Sequence, residues 1–305
     1  MGCGLQLFAG DVSFRDSMRG RKLLMMGLAT RSAGLLMKAR RTLARYLPED
    51  TLSQVPGAVR TSNIVRRFVR THVFPSHSEW IRVREGFARG IWLHINVADE
   101  RTWWAGTHEP SVQHALCAHL TSHMVAYDVG AHIGFYTLAM GRVACETIAF
   151  EADSENAARL RSHVLRNRLT DRVRVVDAAV WSVSTPAIDF QRGTPRSQGG
   201  VSWKGKKPPL ATGPIQSVAA ISLDDFVAAG NPAPNIIKID VEGAEAEVLL
   251  GAKSILNSVR PVVLVEVHGA NEFSAVKQAF ESYSYYADWI LPKEGYPRHG
   301  LAFPS

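Results

Sequence analysis

The chain has 305 residues, of which 46% are hydrophobic and 21% are charged, and its formal net charge at pH 7 is +7. These values are ordinary for a soluble globular protein, and the length suffices for one large α/β domain with an appendage. The three scattered cysteines argue against a disulfide framework or zinc site and fit a reducing, cytoplasmic compartment, and no apolar run reaches the roughly 18 residues of a membrane span.

The positive charge is concentrated in residues 1–75, which we call the basic leader. Residues 1–72 hold 13 Lys and Arg against 4 Asp and Glu, whereas the remainder holds 22 against 24. Two interpretations stay open, the first being a leader that is partly helical or disordered. In the second, residues 35–46 form a basic amphipathic arm that contacts an anionic membrane surface or a partner. We expect residues 76–305 to form a separate domain.

Strand patterns begin just after the leader. Residues 80–85 and 91–96 flank a glycine-containing turn and predict a β-hairpin with one apolar face. Pro110 predicts the first turn of a helix that runs to about Leu120. Glu109 directly precedes this helix. Its negative charge is either stabilised by the positive end of the helix or contacts a ligand.

A glycine-rich motif, D-V-G-A-H-I-G-F-Y-T, follows the helix. The residues around it predict a buried strand from Val125 to Val129, a tight turn, and a helix that begins near Gly134. Gly130 and Gly134 permit the backbone to turn sharply and to approach a ligand closely, and Ala131 lies between them. A strand, turn and helix in this order are typical of a nucleotide-type site at the carboxyl edge of a parallel sheet.

Asp128 ends this strand, and its charge discriminates among ligands. A carboxylate at this place would repel a pyrophosphate but attract a cofactor that carries a sulfonium and an ammonium group. The spacing D-x-G-A-x-x-G also lacks the glycine set expected of dinucleotide sites. The residues therefore favour S-adenosylmethionine over NAD.

The alternation of strands and helices continues after this motif, which predicts a doubly wound, mostly parallel sheet. A second strand at residues 147–150 ends in Glu151, and an acidic residue about 20 positions after a glycine motif commonly accepts from ribose hydroxyls. A third strand at residues 173–176 ends in Asp177. That carboxylate is either a contact for an adenine amino group or a generic charge at a strand end.

Residues 193–217 interrupt this alternation, since they are rich in Gly, Pro, Ser and Lys. Their flanks, residues 187–191 and 218–222, predict two strands that pair as a hairpin with a long tip. Long loops are usually either functional or disordered, so a lid over a substrate and a mobile loop both stay open.

A second charged motif, I-K-I-D-V-E-G-A-E, follows at residues 237–245. Strand alternation places Lys238, Asp240 and Glu242 on one side, provided that the strand continues that far. A lysine beside carboxylates keeps them ionised and holds their geometry. Charges on a central apolar strand are costly to bury, which favours a functional site over a structural ion pair at a helix start.

The last core strand, at residues 261–268, ends in Glu266 and His268. A histidine at the carboxyl end of a strand is a candidate to remove a proton from a hydroxyl group near neutral pH. A histidine that is merely hydrogen-bonded is the alternative.

Together, the motifs D-V-G-A-H-I-G-F-Y-T, F-E-A-D-S-E-N, I-K-I-D-V-E-G-A-E and V-E-V-H resemble the FkbM family of S-adenosylmethionine-dependent methyltransferases, over about residues 80–285. His132 departs from the Asn that is usual in the family, and Ala152 and Asp153 replace a turn that usually contains proline. The resemblance implies a Rossmann-like class I methyltransferase fold. It also implies O-methylation of a hydroxyl group on a sugar, glycan or secondary metabolite.

Residue roles follow from the motifs and the resemblance. The residues assigned to S-adenosylmethionine are Asp128, Gly130, Ala131, Gly134, Glu151 and Asp177. The residues assigned to acceptor orientation and proton removal are Asp240, Glu242 and His268, with Lys238 in support. No metal site stands out in the sequence.

Three other functional classes were compared with this one. A nucleotide-dependent oxidoreductase is disfavoured by Asp128 and by the missing glycine, and a non-catalytic binding module is disfavoured by the intact charged motifs. A nucleic-acid methyltransferase is suggested by the basic leader alone, while the rest of the chain is slightly acidic. We therefore expect a small-molecule or glycan acceptor and no nucleic acid.

Overall fold

The computed structural model describes residues 77–97, 100–193, 200–202, 211–290 and 295–305. Within them, residues 78–95 and 100–305 belong to one compact unit. The basic leader lies outside the described residues, so its boundary and its contact with a membrane or partner stay predictions. In the part of the chain that the structure describes, no helix is both long enough and apolar enough to cross a membrane.

The unit begins with the predicted hairpin. Strands β1 (Glu79–Arg82) and β2 (Trp92–Ile95) pair in antiparallel register. Along β2 the side chains alternate between buried and half-buried, as expected of a strand with one face toward a core. Two helices follow, α1 (Arg101–Ala105) and α2 (Pro110–His119), and Pro110 lies in the first turn of α2 as predicted.

The remaining elements alternate between strand and helix except at β5 to β9 and at β12 and β13, where strands follow one another directly. The strands are β3 (Val125–Val129), β4 (Glu146–Phe150), β5 (Val173–Val176), β6 (Ala179–Val180), β7 (Thr185–Gly193), β8 (Gly200–Ser202), β9 (Ala211–Ile221), β10 (Ile236–Ile239), β11 (Val262–Val267), β12 (Tyr285–Ile290) and β13 (Arg298–Pro304). The helices are α3 (Phe135–Gly141), α4 (Ser154–Arg166), α5 (Leu223–Ala228), α6 (Glu245–Leu250) and α7 (Ala270–Ser282), with a π-helical turn at Ile255–Val259.

The central sheet has seven strands in the order β12-β13-β11-β10-β3-β4-β5. Strand β13 is antiparallel to both of its neighbours, and the other paired strands run parallel to one another. The predicted Rossmann-like, mostly parallel sheet is therefore confirmed. The chain proceeds from β3 outward in one direction and from β10 outward in the other, so the topological switch point lies between β3 and β10.

Both faces of the central sheet are covered, which explains why its strands are apolar runs rather than alternating ones. On one face, Tyr127 and Val129 pack in a core with α5, α6 and α7. On the other, Ala126 and Leu264 pack in a core with the hairpin, α2 and α3. Strand alternation turns Asp128 toward this second face.

A second, smaller sheet has four strands in the order β6-β9-β7-β8, and these strands follow β5 in the chain. Its strands β7 and β9 form the predicted hairpin, with Ile188 opposite Val218. Strand β9 begins at Ala211, so residues that were expected to lie in the loop pair with β7 instead. Residues 194–199 and 203–210 are outside the described part of the chain, and the choice between lid and mobile loop stays open.

Candidate functional site

The glycine-rich turn between β3 and α3 adopts the predicted tight conformation. Gly130 has a φ of 79° and Gly134 a φ of 91°, both in the left-handed region that favours glycine. A Cβ on Gly130 would overlap the backbone oxygen of Asp240, and a Cβ on Gly134 would overlap the side chain of Leu160. Close packing within the protein therefore requires both glycines, independently of any ligand.

Glu151, at the end of β4, holds this turn in place. Its Oε2 accepts a hydrogen bond from the backbone N–H of His132 (2.7 Å), and its Oε1 accepts one from Asp153 (2.8 Å). The backbone N–H of Ala131 donates to the carbonyl of Phe150 (3.0 Å). Burial raises the pKa of Glu151 to about 7, although the backbone hydrogen bonds oppose this shift. Backbone hydrogen bonds therefore join the glycine turn to Glu151, the residue predicted to bind ribose.

His132 occupies the turn in a left-handed conformation, with a φ of 50°. Histidine shares with asparagine a raised tolerance for this region, which explains how it replaces the asparagine usual in the family. Its ring lies 5.1 Å from that of Trp103, and burial lowers its pKa to about 3. The imidazole is therefore neutral near pH 7. Its buried Nε2 has no hydrogen-bond partner among the described residues.

The structure gives Asp128 partners inside the protein that the sequence did not predict. Its side chain is fully buried, its Oδ2 accepts from the hydroxyl of Thr137 (2.5 Å), and its Oδ1 lies 3.6 Å from Nζ of Lys238. Lys238 is its direct neighbour in the parallel pairing of β3 with β10. The charge that was expected to attract a cofactor is balanced inside the protein, because strand order places a counter-ion beside it.

Asp177 follows β5 and has a partner that the sequence did not predict. The guanidinium of Arg161 donates to both carboxylate oxygens, at 2.9 Å and 2.6 Å. About half of each side chain is exposed. A contact of Asp177 with adenine stays a prediction.

The charges after β10 converge, but not along an extended strand. Strand β10 ends at Ile239, before Asp240, and Glu242 has a left-handed φ of 55°. Nζ of Lys238 donates to Oδ2 of Asp240 (3.2 Å), as predicted, whereas Glu242 turns toward His268, with 3.4 Å between Oε2 and Nε2. A turn, rather than strand alternation, therefore brings Glu242 into the site.

His268 lies among carboxylates. Its Nδ1 donates to Oε1 of Glu245 (2.8 Å), and its Nε2 lies 3.5 Å from Oε1 of Glu266. Burial alone would lower the pKa of His268, but Glu245 and Glu266 outweigh it and raise the pKa to about 11. These contacts favour the protonated imidazole, and the role of His268 in removing a proton stays a prediction.

Two further residues belong to the cluster of charged side chains around Asp240 and His268. Sequence reasoning missed His299, and for Glu109 it left a ligand contact open. Strand β13 places Nε2 of His299 3.3 Å from Oε2 of Glu266. Glu109, just before α2, accepts a hydrogen bond from the hydroxyl of Tyr136 (2.9 Å). No local motif marks His299, whereas Tyr136 stands inside the glycine-rich motif and Glu109 directly before the helix that Pro110 begins.

Acidic side chains outnumber basic ones in this cluster. Burial raises the pKa of Glu109 to about 7, with Glu266 and Asp240 adding to the shift. Burial also raises the pKa of Glu242 to about 7. For Glu266 the balance is reversed, because His268 and His299 outweigh the effect of burial and hold its pKa below its usual range. The arrangement can bind a cation, accept a proton, or accept hydrogen bonds from hydroxyl groups.

Two comparisons with known proteins concern the sequence. The model of the family described as methyltransferase FkbM domain matches residues 128–293, which is more than half of the chain. The hexuronic acid methyltransferase AglP of Haloferax volcanii is 32% identical over 152 residues, a stretch that covers 47% of this chain and 56% of that protein. The match thus spans little more than half the length of that relative.

Solved structures give a third comparison. Methyltransferase FkbM from Methylobacillus flagellatus KT is 16% identical, with a TM-score of 0.46, over 88% of this chain and 58% of that one. Precorrin-6y C5,15-methyltransferase from Geobacter metallireducens is 12% identical, with a TM-score of 0.43, over 65% of this chain and 90% of that one.

Proposed function

This chain belongs to the FkbM methyltransferase family, and we propose that it transfers the methyl group of S-adenosylmethionine to a hydroxyl group of a sugar, glycan or secondary metabolite. In this reaction the acceptor oxygen forms a bond to the methyl carbon, while the carbon–sulfur bond breaks and leaves its electron pair on sulfur. The hydroxyl proton passes to a base or to solvent. The products are a methyl ether and S-adenosylhomocysteine.

The residues around the glycine turn fit this cofactor. They stand at the carboxyl ends of β3 and β4, on one side of the topological switch point, where open α/β sheets bind their ligands. Each oxygen of Glu151 accepts one backbone hydrogen bond, and an ionised carboxylate offers about four lone-pair sites, so capacity is left for ribose hydroxyls. Asp177 is kept as the proposed adenine contact, while Asp128 is not kept as a direct contact.

The observation that carries the proposal is the position of Asp240. Its backbone oxygen occupies the space next to Gly130, so the cluster of carboxylates directly borders the glycine turn. A methyl donor bound at the turn would therefore meet an acceptor bound at the cluster. Methyl transfer from a sulfonium needs mainly this proximity, together with a group that takes the hydroxyl proton. Asp240, Glu242 and His268 are the residues proposed for acceptor orientation and proton removal, and the contacts of His268 with Glu245 and Glu266 favour Asp240 or Glu242 as the proton acceptor.

The acceptor class is proposed on two grounds. One relative, AglP of Haloferax volcanii, is a hexuronic acid methyltransferase, and its similarity favours a sugar acceptor for this chain also. Glu109, Asp240 and Glu242 offer oxygens that accept hydrogen bonds from hydroxyl groups, and a sugar presents several hydroxyls close together.

The proposal is tested with S-adenosylmethionine that carries a labelled methyl group. The full chain is incubated in parallel with uronic acids, neutral oligosaccharides, small polyhydroxylated metabolites and RNA, and the labelled product is identified by mass spectrometry. We expect an O-methyl ether on a hydroxylated acceptor and its loss in Asp240→Asn. Label that appears on RNA, on nitrogen or on carbon would contradict the proposal.

A further inference from the structure

We propose that Asp240, Glu266 and His268 form a binding site for one divalent metal ion. Each of the three offers a ligand atom, and these atoms lie within 4.8 Å of one another. Two are carboxylate oxygens and one is an imidazole nitrogen, a set of donors that divalent first-row transition metals accept. No metal-binding motif marks this site in the sequence, because its residues come from two separate stretches of the chain.

The three ligands are held by the main chain of the central sheet. Glu266 is part of β11, whose pairing with β13 fixes its position opposite His299. Asp240 follows β10, and its backbone N–H donates to the carbonyl of Val129 (3.0 Å). His268 comes directly after β11 and is oriented by its hydrogen bond to Glu245. Ligands that are fixed in this way lose little conformational entropy when a metal ion binds.

The charge of the surroundings calls for a cation. His268 has Glu242, Glu245 and Glu266 within 3.5 Å of its ring nitrogens, and Asp240 belongs to the same group. Lys238 donates to Asp240, and His299 lies 3.3 Å from Glu266, so one lysine and two histidines face the four carboxylates. A divalent ion bound there would add positive charge where carboxylates outnumber the basic side chains.

A second, independent observation concerns Glu245. Its side chain is fully buried, and Oε1 is bonded to the backbone N–H of Gly243 and to His268. Its other oxygen, Oε2, is buried and has no hydrogen-bond partner among the described residues. A buried carboxylate oxygen without a partner is costly, and a positively charged group bound in this cluster would reduce that cost.

A neighbouring group, Glu109, Glu266 and His299, has similar spacing and shares Glu266. We place the ion at Asp240 because that residue borders Gly130 and hence the proposed methyl donor. Three protein ligands leave coordination positions open, as in catalytic metal sites. An acceptor hydroxyl bound there would be oriented and its pKa lowered, and this consequence rests on the proposed function.

Binding of Mn²⁺ to the full chain tests the site without acceptor or cofactor. The chain is treated with EDTA, dialysed and titrated with Mn²⁺, and the electron paramagnetic resonance signal of free Mn²⁺ reports what remains unbound. We expect one ion per chain. We expect Mn²⁺ binding to weaken by more than about 100-fold in each of three variants, Asp240→Asn, Glu266→Gln and His268→Ala. Removal of a residue that only orients a metal ligand weakens binding by less than this.

The matched control is Glu247→Gln, on the same helix as Glu245. It should bind Mn²⁺ within about threefold of the unaltered chain, since Glu247 is not a proposed ligand. Circular dichroism identifies any variant that fails to fold. If His268→Ala fails to fold, His268→Gln is measured in its place. Unchanged Mn²⁺ binding in the folded His268 variants would overturn the proposal, as would loss of binding in Glu247→Gln.

The two proposals fail in different ways. Full methyl transfer by the EDTA-treated chain, without Mn²⁺ binding, would overturn the metal site and leave the proposed function intact. Specific Mn²⁺ binding without transfer to any hydroxylated acceptor would overturn the function and leave the site intact.

Discussion

The two sides of the topological switch point hold their polar groups in different ways. On the β4 side, the oxygens of Glu151 accept from the backbone amides of His132 and Asp153. On the β11 side, the ring nitrogens of His268 meet the carboxylates of Glu245 and Glu266. Backbone hydrogen bonds hold the polar groups on the β4 side, whereas oppositely charged side chains hold one another on the β11 side.

This difference separates binding from chemistry. A geometry that rests on backbone amides and on glycine packing stays the same when side chains elsewhere gain or lose protons. A cluster of facing charges responds to each proton or cation that enters it. We therefore expect substitutions on the β4 side to act on folding and cofactor affinity, and substitutions on the β11 side to act on turnover.

The largest effect is expected at Gly130, where the two sides meet. In Gly130→Ala, the new Cβ overlaps the backbone oxygen of Asp240 and the residue is also forced into a left-handed conformation. We expect a loss of about 4 kcal/mol or more in the free energy of unfolding, measured by denaturant titration.

Gly230→Ala is the matched control. Gly230 has a φ of 90°, but its Cβ would meet no heavy atom within 4 Å. It should lose only about 1–2 kcal/mol, the cost of the left-handed conformation itself. Equal losses in the two variants would show that the contact between Gly130 and Asp240 does not tie the two sides together.

The second prediction concerns Glu151 and the pH dependence of stability. Burial raises its pKa from 4.5 to about 7, so the folded chain binds this proton more tightly than the unfolded chain. Stability from this residue is therefore present at low pH and falls as the pH rises from about 4.5 to 7, by about 3 kcal/mol in total.

Glu151→Gln removes this titration. The free energy of unfolding of the unaltered chain should fall relative to that of the variant between pH 5 and pH 8. If the difference in the free energy of unfolding between the two chains is constant over this range, burial does not raise the pKa of Glu151.

The third prediction concerns turnover on the β11 side. Asp240→Asn keeps the shape of the side chain but removes its charge, and its backbone contacts with Gly130 and Val129 are unchanged. Turnover with the identified acceptor should fall about 100-fold, the scale for removing a positioned base, while S-adenosylhomocysteine binds nearly normally. Glu247→Gln serves as the control and should keep full turnover. A parallel loss of cofactor affinity would remove the distinction between the two sides.

The smallest effect is expected from the basic leader. A chain that begins at Ser76 keeps both sides of the switch point, so its affinity for S-adenosylhomocysteine should match that of the full chain. Calorimetry of the two chains makes this comparison. A shortened chain that is insoluble, or that loses the cofactor, would show that the leader belongs to the domain and that the boundary is wrong.

The sequence predicted the β4 side well because its signals are local. Strands β3 and β5 have the predicted bounds, since each is mostly apolar and is followed by a glycine or a charged residue. The glycine turn and Glu151 also fell where their spacing placed them. The start of β9 at Ala211 was missed because pairing with a distant strand outweighed the local glycine and proline content.

The β11 side was less predictable because its contacts depend on strand order. Asp128 has Lys238 as a counter-ion only because β10 lies next to β3. His299 reaches Glu266 because β13 inserts antiparallel beside β11. Neither neighbour is visible from residue spacing, so the sequence predicted charged residues without predicting their partners.

The central claim is that the glycine turn and Glu151 bind S-adenosylmethionine, and calorimetry tests it most directly. S-adenosylhomocysteine and NAD are titrated separately into the full chain and into Glu151→Ala. We expect S-adenosylhomocysteine to bind, NAD not to bind, and the variant to lose about 1–3 kcal/mol of affinity, as for a lost hydrogen bond to a charged group. Tighter binding of NAD than of S-adenosylhomocysteine, or an unchanged affinity in the variant, would contradict the claim.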